Sequence, residues 1–169
     1  MRYTASSLSL ALALVGLPLP LRAATPPTLN AQAALEIVNG CADQAKAKGQ
    51  SHAIAVYDDG GNLLAFLRMD GNPPGIGEFA MQKGQAVAHW HFSTEDMARS
   101  AAETPGFGDA PNVATVPGGI PVFSSDGSRF IGAVGVSGEA PRDDVACAEA
   151  GVKAAGLAVA RKPTTQNRP

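Results

Sequence analysis

Residues 53–68 read AIAVYDDGGNLLAFLR. Positions 53–57 form an apolar run rich in strand formers. Asp58-Asp59-Gly60-Gly61-Asn62 is turn chemistry, because glycine and asparagine supply the left-handed backbone that a tight reversal needs. Positions 63–68 then return as a second apolar run, so the stretch predicts a β-hairpin. A second hairpin follows the same logic. Residues 120–124 predict a strand, Asp126-Gly127 a turn, and 130–136 the returning strand. Gly132 and Gly135 interrupt that strand, where glycine marks a bulge or a close backbone approach.

Helical periodicity flanks both hairpins. Asn30 caps a helix running to about residue 48, with Ala34, Ile37, Cys41 and Ala45 on one stripe and Gly49 as the stop. A helix over 76–90 carries Ile76, Phe79, Lys83, Val87 and Trp90 on one face, apolar except for the lysine. Ser93 or Thr94 caps a short helix over 95–103 whose first turn holds Glu95 and Asp96. A Gly/Pro-rich loop over 104–119 ends in Pro117-Gly118-Gly119, and a loop of that length in a compact domain is a functional candidate. Asp143 and Asp144 open a last helix expected to reach residue 161, with Ala148, Val152, Ala155 and Val159 as its buried stripe. The order helix, hairpin, helix, helix, hairpin, helix predicts an α/β domain of the α+β kind. Its antiparallel sheet is built of hairpins, helices cover one face, and the two terminal helices lie side by side.

Composition bounds the function. The chain has 169 residues, enough for a single domain. Hydrophobic residues at 45% and charged residues at 17% exclude a disordered polyelectrolyte. A net charge of −2 without a Lys/Arg cluster argues against a nucleic-acid partner. Aromatic residues at 5% leave few stacking partners for a large planar ligand. Arg2, the apolar run over 8–21 and the small residues Ala23 and Ala24 read as a signal peptide over 1–23, leaving one domain over 24–169. The apolar run is short for a membrane span, so the expectation is a periplasmic or secreted protein with no stable membrane insertion after cleavage. In such a compartment Cys41 and Cys147 point to a disulfide closing a loop of about a hundred residues. Two buried free thiols or a redox pair are the alternatives.

Three segments together are similar to the GlcG/HbpS family: the 53–71 stretch through Met69-Asp70-Gly71, Pro117-Gly-Gly-Ile-Pro-Val122, and Ile131-Gly-Ala-Val-Gly-Val-Ser-Gly138 followed by Asp143-Asp144 and Cys147-Ala148. The resemblance is collinear over nearly all of 29–160. It implies a profilin-like fold, assembly into homo-oligomers, and haem binding or haem degradation. Relatives include extracellular haem sensors and the C-terminal domain of PduO-type proteins. Lys83 matches the family lysine, within Gln82-Lys83-Gly84 where the usual pattern is Ala-Lys-Ala.

Several residues are candidates for chemistry. His89 is a weak candidate for a haem-iron ligand. His89 and His91, two apart on a helix, point to opposite sides and make a poor joint clamp. His52, at the mouth of a strand, is expected to be exposed. Lys83 is either a cation for haem propionates or a substrate carboxylate, or a snorkelling side chain packed on the core. Arg68 and Asp70 are expected to form an ion pair holding their loop. Met69 is a soft axial ligand or a pocket wall. Gly118 and Gly119 either present backbone N–H groups to a ligand or turn the chain into the next strand. Ser137 lacks the GxSxG setting of a hydrolase nucleophile. The leading expectation is a tetrapyrrole site, haem as cofactor, formed by Arg68, Met69, Asp70, Lys83, Gly118 and Gly119. An enzyme acting on a small organic acid through Lys83 and Asp70, and a non-catalytic oligomeric binding module, are the alternatives.

Overall fold

The computed structural model describes residues 27–163, so the expected signal peptide over 1–23 and the last six positions lie outside the described residues. Helix α1 spans Ala31–Lys48, held at its start by the Asn30 side chain, which accepts from the Ala33 N–H at 2.9 Å, and at its end by Gly49 with φ 67°. Strands β1 (Ala53–Asp58) and β2 (Leu63–Arg68) form the first hairpin. Helix α2 spans Pro74–Trp90, starting two residues earlier than its periodicity suggested because Pro74 occupies the first turn, where a missing N–H is harmless. Helix α3 spans Thr94–Glu103, capped by the Ser93 hydroxyl. After a short 3-10 turn at Phe107–Asp109 come β3 (Gly119–Phe123), β4 (Phe130–Ser137) and helix α4 (Pro141–Ala154).

The sheet has four strands in the order β2-β1-β4-β3, all pairs antiparallel. Its central strands bury both faces. Ile54, Val56, Val134 and Val136 meet α1 and α4 on one side, while Ala55, Tyr57 and Ala133 meet Ala86 and Val87 of α2 on the other. Helices therefore cover two faces rather than the expected one. The unbroken apolar run of β1 is the physical reason, since a strand wet on one side alternates. Close approach of α2 depends on glycine. A Cβ on Gly135 would strike the Ala80 carbonyl and the Gly84 backbone, and one on Gly84 would sit 2.8 Å from the Tyr57 ring.

The two sheet edges differ. On β3, the Gly119 N–H donates to the Thr94 hydroxyl at 3.0 Å, Pro121 has no N–H, and Phe123 exchanges two backbone hydrogen bonds with Ala158. That last pairing corrects the expected length of α4. The helix stops at Ala154, Gly156 with φ 69° reverses the chain, and Val159 leaves the helical stripe to pack beside the core. Among the described residues the outer edge of β2 pairs with no further strand, and β2 exposes Leu63 and Phe66.

As expected, α1 and α4 lie side by side, and Cys41 and Cys147 are disulfide-bonded across them with Cα atoms 4.6 Å apart. Gly151 makes the contact possible, because a Cβ there would collide with the Ile37 carbonyl. Replacing both cysteines by alanine frees a loop of 106 residues in the unfolded chain. The variant is expected to lose about 2–5 kcal/mol in urea unfolding under non-reducing conditions. Unchanged stability would show that the crosslink does not constrain the unfolded chain.

Candidate functional site

One end of the sheet collects most of the candidate residues. Here β1 begins, β2 and β4 end, β3 begins and α4 starts, because antiparallel pairing puts Ala53 opposite both Arg68 and Ser137. Lys83 reaches this end from α2. Its ammonium donates to Asp144 Oδ2 at 3.0 Å and to the Val136 carbonyl at 2.9 Å. Asp144 Oδ1 takes the His52 Nδ1 hydrogen at 3.1 Å and the Glu139 N–H at 3.2 Å. The three side chains are 1%, 2% and 0% exposed for Lys83, Asp144 and His52.

Burial pushes the Lys83 ammonium below the ordinary lysine range, and the charge and hydrogen bond of Asp144 oppose that shift. Because the carboxylate can only accept, His52 carries its hydrogen on Nδ1. Nε2 of the same ring is buried without a partner. His52 is thus a core residue, contrary to the exposed position expected of it. Lys83 faces protein groups rather than a cleft.

Gly118 and Gly119 lie against this cluster. Gly118 has φ 131°, and a Cβ there would sit 2.7 Å from Lys83 Nζ and collide with the Val136 carbonyl. Its own carbonyl accepts the Val136 N–H at 2.9 Å. A Cβ on Gly119 would meet the Lys83 carbonyl at 2.8 Å. The two glycines therefore let the loop close over the lysine.

Arg68, Met69 and Asp70 sit one step outward. With Ala42 and Lys46 of α1, and with Leu67, they line an open cleft of about 620 Å³. Arg68 donates to the Asn72 carbonyl, which replaces the expected ion pair with Asp70. The loop is held instead by Ser51, whose hydroxyl donates to the Asp70 carbonyl at 2.7 Å and accepts from Asn72 at 2.8 Å. Met69 is tied to His52 twice: its sulfur accepts the His52 N–H at 3.4 Å and its own N–H donates to the His52 carbonyl at 3.0 Å. Asp70 and Lys83 do not share a cavity among the described residues, which separates the pair expected to act on a small acid.

His89 is exposed on α2, its Nδ1 2.8 Å from the Gln85 carbonyl one turn back. His91 leaves the helix with φ 62° and stacks on Phe130 with ring centroids 4.0 Å apart. The described residues contain no group of three or more His, Cys, Asp or Glu side chains placed to hold a metal ion. His52 and Asp144 were the residues least visible in the sequence. Their signals were a histidine directly before a fully apolar strand and a paired acid at a helix start.

A family model described as haem degrading protein HbpS-like matches residues 29–153. Protein GlcG of Escherichia coli K12 is 36% identical over 116 residues, covering 67% of this chain and 84% of that protein. A crystal structure of a double mutant of Streptomyces reticuli HbpS superimposes with a TM-score of 0.70 at 27% identity, covering 82% of this chain and 96% of that one. The crystal structure of a PduOC–haem complex shares the fold with a TM-score of 0.72 at 16% identity, covering 80% and 100%.

The buried cluster and an exposed ion pair are expected to respond differently to truncation. Lys83→Met strands a carboxylate in the core and is expected to cost about 3–5 kcal/mol in urea unfolding. Arg129→Met removes only the exposed partner of Asp59, 3.9 Å away, and is expected to cost about 0–1 kcal/mol. Equal losses would mean that the Lys83–Asp144 pair contributes no more than a surface contact.

Proposed function

The chain belongs to the HbpS-like family, and on that premise we propose that it binds haem or a related tetrapyrrole at the cleft beside Met69. The observation that carries the reading is the convergence of three chemistries on that cleft. Ala42 and Leu67 offer apolar wall, Arg68 and Lys46 offer cations beside the carboxylates of Asp43 and Asp70, with Lys46 3.7 Å from Asp43, and Met69 offers a thioether. Haem needs this combination: an apolar body to cover, carboxylates to neutralise, and an iron that accepts sulfur as an axial ligand.

Each residue has a separate part. Lys46 and Arg68 would hold propionates, with Arg68 steadied by the Asn72 carbonyl. Met69 would present sulfur to the iron, its orientation set by the His52 N–H. Ser51 and Asn72 hold the loop at Asp70. Bound haem would supply redox and oxygen chemistry, so binding opens the way to a part in haem degradation or sensing. The disulfide supports export to an oxidising compartment, periplasmic or extracellular. The uncovered β2 edge, with Leu63 and Phe66 exposed, supports assembly into homo-oligomers.

Titrating purified protein with haemin and following the Soret band tests the reading. Saturable one-to-one binding is expected. Met69→Ala should change the position of the band, and Arg68→Ala should weaken binding about tenfold, close to 1.4 kcal/mol. A band indistinguishable from haemin mixed with an inert protein, or one unchanged in both variants, would remove haem from this cleft.

A further inference from the structure

A second cleft, of about 430 Å³, lies between β3, the start of α3 and the segment after α4. We propose that it binds an amphipathic carboxylate, an anionic head on a flat apolar body. Its floor is apolar, built from Ile120, Phe123, Val145 and Val159. The charges around the floor are unequal in what they have left to offer. Asp96 and Glu95 are engaged by Arg99, and Glu149 is engaged by Lys153 at 2.7 Å. Arg161 has no acidic partner among the described residues. Its guanidinium lies over the Phe123 ring, 5.6 Å from the centroid. A guanidinium over an aromatic ring still has N–H groups to offer a carboxylate.

His91 is the second observation. It ends α2 with φ 62°, a backbone conformation that glycine adopts without strain and most other residues avoid. Glycine is the usual choice at such a helix end, yet an imidazole stands there, stacked on Phe130 at the cleft. Backbone strain at a cleft is a reason to look for work done by the side chain. His91 places an imidazole at the side of the apolar floor, and Arg161 supplies the charge. Neither residue belongs to the Met69 cleft, so this site stands independently of the haem reading.

Calorimetric titration of the purified protein with naphthoate, and with naphthylmethanol as its neutral counterpart, tests the assignment. Saturable one-to-one binding of naphthoate is expected, with little binding of the alcohol. Arg161→Ala and His91→Gly should each weaken it about tenfold, while Met69→Ala leaves it unchanged. His91→Gly should also raise the unfolding midpoint by relieving the helix end, which separates lost binding from lost folding. The site is overturned by equal affinity for the alcohol, by parent-like affinity in Arg161→Ala, by loss of binding in Met69→Ala, or by no saturable binding at millimolar naphthoate.

Discussion

Asp144 is the constraint around which the rest of the molecule is arranged. Its carboxylate is buried at the first turn of α4, where the helix dipole favours negative charge. It receives Lys83 from the helix on the opposite face of the sheet and His52 from the residue before β1. One side chain thus joins both helical layers to the central strand. Burying an ion is expensive unless its hydrogen-bonding capacity is filled, and here two charged or polar side chains and a backbone N–H fill it. Gly118 follows from the same demand. The ammonium passes so close to the loop that no side chain fits, and φ 131° leaves the position to glycine.

A second constraint is the thinness of the layers. Aromatic residues are scarce; valine, alanine and isoleucine dominate one core and alanine the other. Small side chains bury little area each, so the backbone must come close for dispersion and desolvation to accumulate. Gly84 and Gly135 bring α2 onto the sheet, and Gly151 brings α4 onto α1. The disulfide lies across that second contact and limits the unfolded chain where single contacts are weak.

Local signals carried most of the fold. Asn30, Gly49 and Ser93 bound helices through caps that depend only on neighbouring residues, and Pro74 starts α2 as a first-turn proline. The turns at Asp58–Asn62 and Asp126–Gly127 place both hairpins. The end of α4 was less legible, because its apolar spacing continues past Ala154 although Gly156 reverses the chain. There the gain of pairing Ala158 with Phe123 decides, and that contact is invisible to a helical pattern. The site shows the same division. Lys83 stood out as a cation on an apolar face, but its partners Val136 and Asp144 lie 53 and 61 residues downstream, which no local pattern reports. Arg68 and Asp70, two apart at a strand end, suggested an ion pair, yet the Asn72 carbonyl takes the guanidinium.

Thin layers also explain where ligands can sit. With α2 in backbone contact with the sheet, and α1 against α4, the described interior is filled by packed small residues. Both clefts accordingly open at the rim, one where α1 overhangs the end of β2, the other where the chain after α4 crosses β3. The rim is also where Lys46, Arg68 and Arg161 remain exposed, whereas Lys83 is buried against Asp144. The buried cluster and the Met69 cleft are nevertheless coupled. His52 holds Asp144 through its ring and Met69 through its backbone on both sides. The orientation of the thioether in the cleft is therefore inherited from the residue that closes the core.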